Sequence, residues 1–347
     1  MTQRVRLAVL GAGLIGKRHI QHVLAEPSAE LAAVVDPTPV GEAIAIEAGV
    51  RWFASFADMM RSERPDGVII ATPNQVHVQN GLEAVEAGVP ALIEKPIADD
   101  IAAGETLVNL ADVKGVPLLT GHHRRHNPMI QKAKEIIDSG TLGRLLVVNA
   151  MFWLFKPDEY FDVPWRREKG AGPVFLNLIH DIDNLRFLCG DISAVQACES
   201  RAVRGHAVEE TAVILLEFKS GVLGTASVSD SVVAPWSWEM TTGENTAFPR
   251  TEETCYMLGG TQGSLAVPSL EVWRNAQKRS WTEPFKRDTA VFQNEDPLVM
   301  QIRQFCRVIR GEDTPLVSGR EGLETLRVIE AVKQSAATGR RVNLSQN

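Results

Sequence analysis

The chain has 347 residues, 44% of them hydrophobic and 23% charged, with a formal net charge of -7. That length suits two domains of a globular protein better than a single core. The acidic balance argues against nucleic acid as a main partner, because such binding leans on basic surface; Arg124-Arg125 and Arg166-Arg167 are therefore expected to make local anion or structural contacts. Cys189, Cys198, Cys255 and Cys306 show no CxxC spacing and read as reduced thiols of a cytoplasmic protein, neither a disulfide framework nor a zinc site. The N-terminus reads as a strand and not as a signal segment. No apolar run is long enough to span a bilayer, so no membrane partner is expected.

The first predicted element is the apolar strand Leu7 to Leu10, which leads into Gly11-x-Gly13-x-x-Gly16 and a helix over 14–24. Gly11 permits the tight turn, Gly13 lets the backbone approach a pyrophosphate, and Gly16 lets helix and strand pack closely. The helix opens on Leu14 and Ile15, with free N–H groups and a positive dipole end that suit a phosphate. A second apolar strand, 31–35, ends at Asp36, where a carboxylate can hold both ribose hydroxyls of NAD. Further strands are expected at 67–71, 90–93 and 116–120, with helices at 74–87 and 101–114 between them. This β-then-α order implies a doubly wound parallel sheet covered on both faces. Ligands of such sheets sit beyond the carboxyl ends of the strands. That rule selects Thr72-Pro73-Asn74, Glu94-Lys95-Pro96 and Gly121-His122-His123.

After residue 121 the pattern changes. A helix is expected at 128–139, a long strand at 145–155, a polar loop at 156–172 and a helix at 173–188. Strands follow at 194–203, 211–218, 222–228, 254–258 and 264–267, and helices at 297–310 and 320–338 close the chain. A tight connection such as 219–221 suggests antiparallel pairing. The predicted division is thus a Rossmann domain over 1–121 and an α+β domain over 122–347 with an open, mainly antiparallel sheet. The polar stretch 241–253 is expected to be a loop.

Two groups of residues suit chemistry. Lys95 stands at a strand's carboxyl end, before a proline that allows a cis bond. A lone lysine is as a rule a solvated charge, and position alone selects this one; a desolvated amine can act as acid or base. In the helix 173–188, apolar Phe175, Leu178, Ile179, Ile182, Leu185 and Cys189 share one side, while Asn177, His180 and Asp183 follow at steps of three. Such a stripe can bind hydroxyls and relay a proton, or it can be a solvated face. Gly170-Ala171-Gly172 would permit close approach of a ligand. His122, His123 and His126 lack a companion carboxylate or cysteine at metal-ligand spacing, so no metal is expected there.

GAGLIGKRH (11–19), ATPNQVH (71–77), EKP (94–96), RRHNP (124–128), PWR (164–166), GAGPVFLNLIHDID (170–183) and SAATGRRVNL (335–344) together resemble the glucose–fructose oxidoreductase / inositol dehydrogenase (Gfo/Idh/MocA) family. The resemblance implies a Rossmann domain followed by an α/β domain whose open sheet often forms an oligomer interface, hence a homodimer or homotetramer. It implies NAD(P)-dependent hydride transfer at a hydroxyl or keto carbon of a sugar, cyclitol or related polyol. Lys95 matches the catalytic lysine, His180 the catalytic histidine and Asp183 the substrate-binding acid. Thr72, Pro73, Asn74, His77 and Glu94 match cofactor-side positions, and Trp165 and Arg166 match a pair that reaches the cofactor. Asn177 and His123 are further candidates for substrate hydroxyls. Inositol dehydrogenase-like members carry Asp four residues before the histidine, where this chain has Leu176. With Asp36, and no arginine after it, NAD is expected over NADP. Two other readings stay open: a cofactor-binding sensor without turnover, and a dehydrogenase of a non-sugar such as a dihydrodiol, for which Trp153, Trp165, Trp236 and Trp238 could line a partly apolar pocket; they can equally be core or interface residues, the preferred reading for Trp236 and Trp238.

Overall fold

A computed structural model describes residues 3–344. Its first sheet contains β1 (Val5–Leu10), β2 (Ala29–Val35), β3 (Arg51–Phe53), β4 (Gly67–Ile70), β5 (Ala91–Ile93) and β6 (Leu118–Thr120), in the order β3-β2-β1-β4-β5-β6. Every pairing is parallel. The Val, Ile, Leu and Ala runs of β1, β2 and β4 are buried on both faces, as a sheet covered by helices requires. Helices Leu14–Ala25, Pro39–Glu47, His77–Glu86 and Ile101–Lys114 lie among the crossovers. The strand order reverses beside β1, which makes the β1/β4 boundary the switch point of this sheet. Three short elements here, β3 and the helices Pro39–Glu47 and Phe56–Met60, go beyond the sequence reading. Helix Pro39–Glu47 has local signals all the same: Pro39 at its first turn and a Thr38 hydroxyl accepting from the Gly41 amide.

The second sheet contains β7 (Leu145–Trp153), β8 (Ile192–Ser200), β9 (Thr211–Phe218), β10 (Leu223–Ser229), β11 (Tyr256–Gly260), β12 (Ser264–Val267), β13 (Glu271–Asn275), β14 (Phe285–Thr289) and β15 (Val342–Asn343). Their order is β14-β13-β12-β11-β7-β10-β9-β8-β15. Neighbours are antiparallel except β7 and β10, which run parallel from Leu223 opposite Val147 to Ser229 opposite Trp153. Strand alternation sends Ala212, Ile214, Leu216 and Phe218 of β9 inward. They share a core with Met129, Ile130 and Ala133 of helix Pro128–Asp138 and with Ile179, Ile182 and Leu185 of helix Ile179–Cys189. The opposite face leaves Val147, Val213, Leu215, Leu223 and Met257 exposed.

Two compact units emerge: residues 1–127 with 295–326, and residues 128–294 with 327–347. Helix Pro297–Ile309, which a boundary at 121/122 assigns to the second domain, instead packs with the first unit. Its Ile302, Phe305, Cys306 and Val308 join a core with Leu7, Val9, Val34 and Ile69. Amphipathic periodicity reveals the apolar face of such a helix but not which sheet it covers. The expected loop 241–253 begins inside a short helix, Trp238–Thr242, capped by Ser237. No helix among the described residues is long and apolar enough to cross a membrane.

Candidate functional site

In the first unit, the carboxyl ends of β1, β4, β5 and β6 are tied side by side. Ala71 donates its N–H to Leu10 O at 2.7 Å, Glu94 to Ile70 O at 2.8 Å and Gly121 to Ile93 O at 2.6 Å. The turn residues selected by the strand-end rule therefore form one rim. Gly11 has φ +89, and a Cβ there would stand 2.5 Å from Ala71 O; only glycine fits. A Cβ at Gly16 would meet Gly11 O at 2.0 Å, so helix and turn touch backbone to backbone. A Cβ at Gly13 would meet nothing within 4 Å, and no side chain caps the helix that starts at Leu14. Open space faced by uncapped amides is what a pyrophosphate needs.

Asp36 follows β2 on the same rim. One carboxylate oxygen accepts from the Ala12 amide at 2.8 Å, and the other from the Thr38 amide at 2.9 Å. These bonds aim the carboxylate without exhausting its acceptor sites. The residues present thus fit a dinucleotide: amides and Gly13 for the phosphates, Asp36 for a ribose diol.

Glu94 is buried, and its Oε1 lies 2.7 Å from His19 Nε2. Burial alone would raise its carboxyl. The hydrogen bond and charge of His19, with the charges of His123 and Lys95, outweigh that and bring it down to about 2. Such a group stabilises the fold fully above its ordinary 4.5, and that contribution is lost as pH falls toward about 2. Melting temperature is therefore expected to drop across this acid window, and Glu94→Gln is expected to flatten the drop. An unchanged acid limb in the variant would assign the effect to other carboxylates.

Lys95 is half-buried, its backbone N–H donating to Glu94 Oε2 at 3.2 Å, and its bond to Pro96 is cis. His77 is buried, with its ring nitrogens 2.8 Å from Pro96 O and 2.8 Å from Thr72 O, so it braces two rim segments from beneath. Thr72 donates to Asn80 Oδ1 at 3.0 Å, while Pro73 and Asn74 are exposed. The segment His123–His126 is a short 3-10 helix, with His122, Arg124, Arg125 and His126 buried. Arg125 forms a 2.9 Å ion pair with Glu321, a structural contact.

In the second unit, the expected helix 173–188 is two pieces: a π-helical turn, Val174–Leu178, then Ile179–Cys189. Asn177 lies in the π turn, and His180 and Asp183 in the α-helix. The solvated-face alternative fails, because every residue from Leu178 to Arg186 is buried. Polar groups on this helix meet internal partners instead, such as the Tyr256 hydroxyl, which donates to Asp181. The close approach at Gly172 is also internal. A Cβ there would stand 2.1 Å from Glu209, whose carboxylate accepts from the Val174 amide at 3.0 Å and from Lys333. That carboxylate, and not a ligand, fills the space beside the glycine.

Trp165 is exposed, and the Arg166 guanidinium stacks 4.1 Å over the Tyr160 ring while donating to Tyr160 O at 2.8 Å. Trp153 and Trp236 pack edge to face at 5.5 Å, and Trp238 is buried against Tyr256. Trp238 is therefore a core residue and lines no pocket.

The least anticipated group is buried Lys156. Its ammonium donates to Asn177 Oδ1 at 2.9 Å and lies 3.4 Å from Asp230 Oδ2. Asp230 also pairs with Arg204. Burial holds the Lys156 ammonium below the usual lysine range, against the opposing pull of Asp230. One signal was available in the sequence. Lys156 continues the inward parity of Val148, Ala150, Phe152 and Leu154, and Asp230 that of Ala226 and Val228.

Residues 5–122 match the family model described as "Oxidoreductase family, NAD-binding Rossmann fold", and residues 130–266 match "GFO/IDH/MocA C-terminal domain". Among curated relatives, D-apiose dehydrogenase of Paraburkholderia graminis is 29% identical, over 99% of this chain and 90% of the relative. The scyllo-inositol 2-dehydrogenase (NAD(+)) of Bacillus subtilis is 27% identical, over 99% and 97%. Among solved structures, the WlbA dehydrogenase of Bordetella pertussis in complex with NADH and UDP-GlcNAcA superposes with a TM-score of 0.79 at 25% identity, covering 99% of this chain and 100% of that one.

Proposed function

Because the chain belongs to the Gfo/Idh/MocA family of NAD-dependent oxidoreductases, we propose that it interconverts a secondary hydroxyl and a ketone on a sugar, cyclitol or related polyol. The observation that carries the reading is the rim of the parallel sheet. A glycine turn with open amides, the Asp36 carboxylate and Lys95 all stand at carboxyl ends of strands or directly after them. Relatives named for D-apiose and scyllo-inositol support a polyhydroxylated substrate.

The amides of residues 13–16 would hold the pyrophosphate, and Asp36 the adenosine ribose. Bound NAD would supply the acceptor for the hydride leaving the substrate carbon. Lys95 takes the hydroxyl proton in that direction and returns it in the reverse one. Its ammonium form also stabilises negative charge on the reacting oxygen. His180 assists as a second acid/base group, while Asn177, Asp183 and His123 hold substrate hydroxyls. Thr72, Pro73, Asn74, Trp165 and Arg166 contribute cofactor contacts, with His77 and Glu94 bracing the rim. The exposed apolar face of the second sheet is read as the surface a second copy covers in a homo-oligomer. Incubating the protein with NAD and a panel of aldoses and cyclitols, D-apiose and scyllo-inositol among them, tests the reading by NADH absorbance. Absence of turnover across the panel in both directions, with NAD bound, would favour a sensor.

Asp36 sets the cofactor preference. Its carboxylate would repel a 2′-phosphate, and Pro37, Thr38 and Pro39 offer no cation to receive one. Asp36→Ala is expected to weaken NAD binding by roughly 10–100-fold, the worth of a hydrogen bond to a charged group, and to narrow the gap to NADP. Fluorescence titration with both cofactors measures this; tighter NADP binding by the unaltered protein would overturn it.

A further inference from the structure

Resting on the polyol reading above, a specificity device follows from the surroundings of Lys156. An ammonium has three donor hydrogens and no acceptor. In this site they have three partners: Asn177 Oδ1 at 2.9 Å, Asp230 Oδ2 at 3.4 Å, and the face of the Tyr160 ring 5.1 Å away. So surrounded, the ammonium is engaged by groups of its own unit, and it acts through what it holds. Its anchor is firm. Arg204 pairs with Asp230 Oδ1 and also donates to the backbone oxygens of Lys156, at 2.8 Å, and Asp230, at 2.7 Å.

The consequence falls on Asn177. An amide side chain can turn either end toward a neighbour, but only its oxygen can face a lysine. The chemistry of the pair fixes the orientation. Asn177 is half-buried in the π turn three residues before His180, and among the described residues its Nδ2 has no protein acceptor. The positive charge on the oxygen side polarises the amide and strengthens its N–H groups as donors. We propose that Lys156 is a positioning residue that locks Asn177 as a donor-only group, so that the site selects a substrate oxygen able to accept a hydrogen bond. The partner is a hydroxyl or carbonyl oxygen beside the reacting carbon. An analogue with hydrogen or an ammonium at that position is rejected.

Three variants test this, using the panel sugar or cyclitol that the unaltered protein turns over fastest. Asn177→Asp keeps and strengthens the contact to Lys156 but removes the donor. A merely structural role leaves KM unchanged and thermal stability equal or higher. The proposal expects KM to rise at least 10-fold with NAD affinity unaltered. Lys156→Met keeps the aliphatic stem and leaves Asp230 with Arg204. It is expected to raise KM similarly with kcat within about threefold, and Lys156→Arg to restore most of the loss. The double variant Lys156→Met, Asn177→Asp is expected to be no worse than Asn177→Asp alone. An unchanged KM in Asn177→Asp, or additive losses in the double variant, would overturn the proposal.

A substrate-free readout separates its failure from failure of the polyol reading. The Asn177 side-chain amide gives two proton signals in either protein, because rotation about its C–N bond is slow; removing the ammonium from its oxygen in Lys156→Met is expected to shift both signals. Identical amide signals in both proteins would overturn the lock whatever the substrate proves to be. If Lys156→Met does not fold, Asn177→Asp carries the decision.

Discussion

Lys95→Ala is expected to lower kcat by about 10²–10⁴, the usual worth of a positioned acid/base group, while the Kd for NAD changes little. The separation follows from where the parts lie. In the proposed reading the pyrophosphate and adenosine ribose are held by the turn after β1 and by Asp36 after β2, whereas Lys95 follows β5. Lys95→Arg distinguishes proton transfer from simple charge stabilisation. A guanidinium keeps the positive charge but does not give up its proton near neutral pH. If Lys95 moves a proton, the arginine variant stays inactive; if it only stabilises charge, arginine recovers a substantial part of the rate. Initial rates by NADH absorbance, with NAD binding measured by fluorescence, give both quantities. Unchanged turnover in Lys95→Ala would remove this residue from the reaction.

Asp230→Ala is expected to destabilise the second unit by about 3–5 kcal/mol, the range seen when one partner of a buried ion pair is removed. The Asp230 side chain is only 2% exposed, and Lys156 and Arg204 are 10% and 9% exposed. Truncation would leave two cations facing each other without their shared counter-charge. The Asn177 oxygen and the Tyr160 ring offset this only in part. Asp230→Asn retains an acceptor and is expected to cost less. Urea unfolding followed by circular dichroism measures the loss, and a change below about 1 kcal/mol, the level of a surface pair, would show that water reaches these charges.

The comparison of sequence with structure separates local signals from long-range ones. The strand and glycine turn at 5–16, and the helix Ile101–Lys114, were legible because their cues lie within a few residues. Strand β3 was not, since three residues beginning with an exposed arginine carry no periodicity. Strand β14, FKRDT, is mostly exposed and charged and lacks apolar alternation. The π turn was invisible because its apolar spacing also fits an α-helix. Lys156 lies in a loop that reads as polar, and its meaning depends on Asp230, 74 residues along and brought near by the parallel pairing of β7 and β10.

The return of residues 295–326 to the first unit bears on how the protein is made. The nucleotide-binding half opens the chain, yet its core waits for Ile302, Phe305 and Cys306. On the ribosome, roughly 170 residues of the other half emerge before the missing helix, so the half translated first stays incomplete until nearly the whole chain is made. A fragment ending near residue 127 would leave that apolar surface bare and prone to aggregation. Grafting residues 295–326 onto it through a linker would supply the missing cover.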